Sequence, residues 1–367
     1  MTRLQEHEAK VASLRRWLSD RGRRAALLTT TGSFAWITAG GEGYVTVADD
    51  RAVGAVLVTG DRVVLLTSVV EEGRLLDEEL AGLPLERETW PWDEPPSLAR
   101  RAGRIAGGAG IVADVEGVAG LEWDPALVAL RYTLLPPEIE RLARLAREAA
   151  EALEDAARRV EPGQTEHEIA AAIAGRCRCH GILPITNLVA ADDRIARYRH
   201  PIPTSRTVRA LAMLVLTGRR HGLHVSLTRL VAFGRIDDEL DRRHQAVTAV
   251  DSELIGASRP GRTLAEVFAE GAHAYRVHGF AEEWRRLHQG GLTGYAGREI
   301  FATPVAAHIL EAGQGLAWNP SITGTKCEDT ILVTGDAPRV LTWTGRWPAA
   351  TVPAARRAVP RPAILLH

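Results

Sequence analysis

The stretch that most constrains the fold runs from Leu211 to Gly234. Leu211-Ala-Met-Leu-Val-Leu216 is wholly apolar and stops short of Gly218, as a strand buried on both faces does. Gly218-Arg-Arg-His-Gly222 is a polar turn, and His224-Val-Ser-Leu-Thr-Arg-Leu-Val231 then alternates with period two. The pattern predicts an antiparallel hairpin whose centre holds Arg219, Arg220, His221, His224, Ser226 and Arg229. None of these is a carboxylate, and all but Ser226 can carry positive charge. Alternation is expected to put Ser226, His224 and Arg220 on one face and His221 and Arg229 on the other.

Before this hairpin, Leu4, Val11, Leu14, Trp17 and Leu18 recur at helical spacing over residues 4–22. Strands are expected at 25–30, 54–59, 63–67 and 111–114, with Phe34–Gly41 leading into Tyr44-Val-Thr-Val47, Gly60-Asp61-Arg62 joining one pair and a helix over 71–80. Together they make a self-contained α/β domain over residues 1–134. Trp90-Pro-Trp-Asp-Glu-Pro-Pro96 cannot be regular structure and is a packed loop or a subunit contact. Pro136-Pro137 opens a long helix over 138–160 and marks a domain boundary. A second domain then covers 135–350, and 351–367 is a Pro/Arg-rich tail, loosely attached at its end. Inside the second domain Pro162-Gly-Gln-Thr-Glu-His-Glu168 is echoed by Pro260-Gly-Arg-Thr-Leu-Ala-Glu266. In each copy Thr caps a helix with Glu three residues on, so two similar halves are expected.

At 367 residues the chain has room for two such domains, and a net charge of −1 gives no general attraction to nucleic acid or to an anionic membrane surface. No apolar run approaches the ~20 residues that span a bilayer. The polar start, Met1-Thr-Arg-Leu-Gln-Glu-His-Glu, opens an amphipathic helix, so no signal peptide is expected and the chain is expected to be cytoplasmic. Cys177, Cys179 and Cys327 have no zinc spacing and are expected as reduced thiols.

Four segments carry chemistry. A loop, Asp192-Asp-Arg-Ile-Ala-Arg-Tyr-Arg-His-Pro201, ends in His200, which can both take and give a proton near neutral pH. The glycine-rich Leu287-His-Gln-Gly-Gly-Leu-Thr-Gly-Tyr-Ala-Gly-Arg-Glu299 carries His288, Tyr295 and Arg298 and lacks the Lys-Ser/Thr ending of a phosphate loop. Gln314-Gly-Leu-Ala-Trp-Asn-Pro-Ser-Ile322 holds Asn319, and Gly324-Thr-Lys-Cys-Glu-Asp-Thr-Ile-Leu-Val333 holds Glu328. In this order the segments, with Leu227-Thr228-Arg229 of the hairpin, resemble the creatinase and Xaa-Pro aminopeptidase family, whose pita-bread fold is shared with methionine aminopeptidase.

The resemblance implies a small α/β N-terminal domain, a pseudo-twofold pita-bread domain, and a homodimer in which the Trp36–Tyr44 loop is a candidate lid. It also implies five metal positions. His288 and Glu328 retain their ligands, whereas Ser226 and Asn319 replace carboxylates, and the remaining position falls on Val215 or Leu216. One imidazole and one carboxylate are too few for a dinuclear site, so no metal and no other cofactor is expected. The function expected is then a creatinase-like, metal-independent enzyme that cleaves or rearranges a C–N bond of a small polar, carboxylate-bearing substrate. By the same resemblance His200 moves the proton, with His288 and Glu328 as its catalytic companions. Asn319 would donate to an oxyanion, Arg220 or Arg229 would hold a carboxylate, and His224, Ser226, Tyr295 and Arg298 would complete the substrate site. Glu328 would find its partner in His288, raising the imidazole pKa. The alternatives are a non-catalytic binding protein of the same fold and, more weakly, a metal-dependent Xaa-Pro aminopeptidase or dipeptidase.

Overall fold

A computed structural model describes residues 1–350, 352 and 359–367. The chain divides into two compact units, residues 1–138 with 221–223, and residues 139–220 with 224–367. Among the described residues no helix is long and apolar enough to cross a membrane.

The first unit opens with α1 (Arg3–Asp20), where Thr2 and Gln5 form a reciprocal capping box. There follow β1 (Ala25–Thr30), α2 (Thr31–Ile37), β2 (Arg51–Thr59), β3 (Val63–Ser68), α3 (Val69–Arg74), β4 (Glu86–Trp90), α4 (Leu98–Ala106), β5 (Ile111–Ala113) and β6 (Glu122–Trp123). The six strands form one sheet in the order β4-β3-β2-β1-β5-β6. Since β2 is antiparallel to both β1 and β3, while β4 and β5 run parallel to their neighbours, the carboxyl ends of β1, β3, β4 and β5 share one edge. Asp114, just past β5, fastens that edge by accepting from the backbone N–H and hydroxyl of both Thr29 and Thr30. Residues 44–47 are not a strand. Conversely Glu86–Trp90 is one, because an edge strand pairs through its backbone and tolerates charged side chains that hide it from sequence patterning.

In the second unit α5 (Pro136–Ala157), α6 (Glu166–Cys179), β7 (Leu183–Ala191) and α7 (Asp193–Arg197) lead to the hairpin β8 (Leu211–Arg220) and β9 (Leu223–Ala232). The intervening His221 and Gly222 have φ of 52° and 75°, the left-handed pair that a two-residue type I′ turn requires. Helices α8 (Asp238–Ala257) and α9 (Leu264–Val277) follow. The strands β10 (Gly290–Thr293), β11 (Ile300–Phe301), β12 (Gly315–Trp318), β13 (Ser321–Ile322), β14 (Thr325–Lys326), β15 (Asp329–Leu332) and β16 (Arg339–Val340) come next. The described part ends with β17 (Ala349–Ala350), β18 (Arg361–Pro362) and β19 (Leu365–Leu366). One sheet has the order β19-β9-β8-β7, another β11-β10-β12-β15-β16, and an isolated bridge between Thr228 and Glu328 joins them.

The internal echo is structural. Thr165 with Glu168 and Thr263 with Glu266 both form capping boxes. In one half the Gly163 N–H donates to the Val208 carbonyl at 2.8 Å, and in the other the Gly261 N–H donates to Leu310 at 2.9 Å. The bridges Thr165–Thr207 and Thr263–Ile309 repeat the relation, so the two halves are built alike.

Packing of the hairpin against α5 corrects the expected faces. A Cβ on Gly218 would meet Ile182 at 2.8 Å, which is how closely this face is covered. Arg220 reaches Glu148 of α5 at 2.5 Å and Arg229 reaches Glu154 of the same helix at 3.5 Å, so both arginines lie on the helix-facing side. Ser226 and Thr217 pair their hydroxyls at 3.0 Å on the other side, with His224 and Thr228 in phase with Ser226. Strand phase across a two-residue turn, which reverses direction and preserves facing pairs, explains why Arg220 does not follow Ser226.

The chain end is also not loose where it is described. Arg361 is fully buried, pairing with Asp251 at 2.7 Å and with Asp329, while Leu365 and Leu366 pair parallel to Val231 and Ala232 of β9. Burial pushes the Asp251 carboxyl up to about 6 even with Arg361 beside it. Replacing Arg361 by Ala should therefore destabilise the protein by roughly 3–5 kcal/mol, because buried carboxylates lose their cation. Urea unfolding at neutral pH checks this, and a loss under about 1 kcal/mol would show that the segment adds nothing to the core.

Candidate active site

The second unit brings four of the sequence-marked segments together. The His200 and His288 rings lie 6.0 Å apart, and Phe301 of β11 packs edge-on against His288 at 4.9 Å. Glu328 is almost wholly buried where β14 gives way to β15, and three groups hold its carboxylate. The Lys326 ammonium is 2.8 Å from Oε2, the Thr228 hydroxyl donates to the same oxygen at 2.7 Å, and the Arg298 guanidinium is 3.5 Å from Oε1. Asn319 lies between two of the segments. Its N–H donates to the Gln289 carbonyl at 3.1 Å, while the next carbonyl, of Pro320, accepts from Cys327 at 3.0 Å.

Electrostatics follow from this arrangement. Burial alone would raise the Glu328 pKa, but Lys326 and Arg298 outweigh it and hold the carboxyl below its usual range. Burial also lowers the His288 pKa, with Arg298 adding to the effect, to about 4. His200 at the rim is lowered as well, by burial and then by the Lys326 charge. At neutral pH both imidazoles are thus neutral beside two cations and one anion. Among the described residues, His288 Nδ1, Asn319 Oδ1 and Arg298 Nε are closed to solvent without a hydrogen-bond partner. Such groups cost about 1–3 kcal/mol each when unpaired, and a bound polar molecule would satisfy them.

The expected pairing of Glu328 with His288, and the raised imidazole pKa, are not found. Lys326 takes that place, and sequence reasoning passed it over although its spacing of two from Glu328 was available as a signal. Arg220 and Arg229 are engaged with α5 and do not enter the site. Arg298 supplies the guanidinium there instead. His224 is buried under the 294–297 loop, with its N–H on the Gly294 carbonyl at 2.8 Å, and Tyr295 is enclosed too. Ser226 is enclosed, and Thr330 accepts from its N–H at 2.8 Å. Val215, in phase with Thr217, faces the side of Ser226 and packs into an apolar cluster with Met213 and Leu230, so it and not Leu216 occupies the remaining position.

These residues do not fit a pair of divalent cations. Of five positions one is a valine, one a hydroxyl, one an amide, and the surviving carboxylate already faces two side-chain cations. Elsewhere Asp251, Cys327 and Asp329 converge closely enough to ligate an ion, and the Arg361 guanidinium fills that place.

The sequence pattern of metallopeptidase family M24 matches residues 140–335. An uncharacterized peptidase of Staphylococcus aureus strain MW2 is 25% identical over 230 residues, which are 60% of this chain and 65% of the relative. A Xaa-Pro dipeptidase of Pyrococcus furiosus is 21% identical over 235 residues, 61% of this chain and 66% of its own. The chain thus spans just under two thirds of these relatives. Among solved structures, the Xaa-Pro dipeptidase of Bacillus anthracis superposes with a TM-score of 0.78 at 19% identity, covering 98% of this chain and 100% of its own. The prolidase of Pyrococcus horikoshii gives 0.77 at 17% identity, covering 92% and 98%. The N-terminal domain of the FACT complex subunit SPT16 from chickpea gives 0.69 at 12% identity, covering 93% and 97%. At these identities the structures show a shared pita-bread fold with an N-terminal domain.

The depressed imidazoles fix a sign for pH dependence. Between about 6.5 and 4 the unfolded chain protonates His288 and the folded chain does not, so stability is full above that window and falls with pH through it. Replacing His288 by Gln should flatten this part of the profile, as read by urea midpoints across the window. A variant profile as steep as the parent's would mean that His288 is not held neutral.

Proposed function

Because the chain belongs to metallopeptidase family M24, we propose that it is a hydrolase of that family which has given up metal and cleaves a C–N bond in a small, carboxylate-bearing substrate. The observation that carries this reading is the pair of cations, Lys326 and Arg298, gathered on the one retained carboxylate beside two neutral imidazoles. Two positive charges against one negative leave the site net positive, which favours an anionic substrate group. Arg298 is placed to hold that group, and its unpartnered Nε is a free donor.

His200 acts as the base in this reading. Its neutral imidazole takes a proton from water as the water oxygen attacks the substrate carbon, and returns it to the departing nitrogen as the C–N bond breaks. The Asn319 amide donates to the oxygen or nitrogen on which negative charge develops. His288, held off charge by burial and then by Arg298, offers the buried Nδ1 to the substrate. Glu328 keeps Lys326 and Arg298 in place without exchanging protons, since its two oxygens are engaged.

A second reading is a binding protein without turnover. It is favoured by that same full engagement of Glu328, and by the occurrence of this fold in a subunit of the FACT complex. Assay of N-acyl and N-amidino amino acids and of Xaa-Pro dipeptides, in the presence and absence of a chelator, separates the readings. The expected outcome is amine release from an N-acyl or N-amidino acid, unchanged by chelator, with less than one metal per chain. His200→Ala should lower kcat/KM by roughly 10²–10⁴-fold with the unfolding transition intact. The rate should rise with pH through a pKa below 6.5 and then level, since neutral His200 is the active form. Cleavage only of Xaa-Pro dipeptides, and only with added divalent metal, would overturn the proposal.

A further inference from the structure

The first unit contains a cavity that this chemistry does not use. It measures about 630 Å³, inside the range of roughly 300–1,000 Å³ found for small-molecule sites. Its position follows from the sheet. Thr29 near the end of β1, Leu66 in β3, Trp90 at the end of β4 and Val118 beyond β5 all line it, which places it at the shared carboxyl edge of these strands. In open α/β sheets this is the edge where side chains and loops leave room for ligands.

Two features define what it would take. The lining is largely apolar, with Val53, Leu66, Trp90 and Leu98 among its side chains. Two guanidinium-bearing residues, Arg51 and Arg100, belong to the same lining. Arg51 donates to the Thr29 hydroxyl at 2.9 Å and to the Glu116 carbonyl at 3.0 Å, both neutral acceptors. Arg100 is exposed at the first turn of α4, a helix whose amino end has no side-chain cap. Neighbouring arginines behave differently, since Arg101 pairs with Glu88 and Glu94 and Arg104 pairs with Glu88. Carboxylates are therefore abundant on this surface, yet among the described residues none is paired with Arg51 or Arg100. An apolar chamber whose lining includes two cations, neither ion-paired with a carboxylate, matches a ligand with an apolar body and one anionic end.

We propose that this cavity binds a small monoanion with an apolar body, a carboxylate bearing an aromatic or branched aliphatic group, with Arg51 and Arg100 on the carboxylate and Val53, Leu66 and Trp90 around the body. The site is separate from the one built around His200 and Glu328 and does not depend on what that site does.

The test uses the full chain and a matched pair of probes, 2-naphthylacetate and the neutral 2-naphthylacetamide, titrated by calorimetry. The acid should bind saturably at one site, about ten-fold or more tighter than the amide. Arg51→Ala and Arg100→Ala should each reduce that preference, and Val118→Trp, which fills the chamber, should abolish binding of both probes. Lys326→Met should leave the titration unchanged, since Lys326 belongs to the other site. Among the described residues exposed Arg100 makes no hydrogen bond or ion pair, so its variant stays informative if another variant unfolds. No binding of the acid at millimolar concentration, equal affinity for the amide, an Arg100→Ala titration identical to the parent's, or loss of binding in a Lys326→Met chain whose unfolding transition is intact would each overturn the proposal.

Discussion

Two adjacent buried acids, Glu328 and Asp329, impose the central constraint on the second unit. Consecutive residues of an extended chain face opposite ways, so each must be neutralised on its own side. Toward the candidate site Glu328 receives Lys326 and Arg298. On the other side Asp329 receives Arg229 at 3.2 Å and Arg361, with the Thr342 hydroxyl at 2.6 Å. An unpaired buried charge costs several kcal/mol, so elements distant in sequence must converge on these two positions. The hairpin supplies Arg229, the glycine-rich segment supplies Arg298, and the chain end supplies Arg361. In this way a single dipeptide organises both the site and the core behind it.

The same charge balance sets the chemistry open to the site. Where a metal pair would be offset by several carboxylates, this chain offers one carboxylate and two side-chain cations. Burial, with the charges of these cations added, keeps His200 and His288 neutral. Neutral imidazole is a competent base at physiological pH and a poor partner for a positive substrate. With Lys326 and Arg298 both facing Glu328, this charge balance is what supports the proposed anionic substrate group.

Stability and function are separable in this arrangement. Arg220 and Arg229 come from the segment richest in positive charge, yet Arg220 is engaged with α5 and Arg229 with α5 and Asp329. His224, Ser226 and Tyr295 are enclosed under neighbouring backbone. The first unit has its own sheet and fastening through Asp114 and its own cavity at the carboxyl edge. The lining of that cavity shares no residue with the proposed His200–Glu328 site.

Sequence alone determined what depends on local rules. The alternation and apolar runs of residues 211–232 specified the hairpin, and paired Thr and Glu specified two helix starts and the internal repeat. The resemblance of four short segments to a known family also marked His200, His288, Asn319 and Glu328. Tertiary structure decided what depends on facing. The phase of β8 against β9 put Val215 rather than Leu216 beside Ser226 and turned Arg220 away, and no one-strand periodicity contains that phase. It chose Lys326 and Arg298, not His288, as partners of Glu328, because competition among charges is settled by distances across strands. The burial of Arg361 was equally illegible, since a Pro/Arg-rich tail reads as solvated until two carboxylates from other elements are brought to meet it. Local physics wrote the elements, while pairing of buried charge decided which of their side chains became the site.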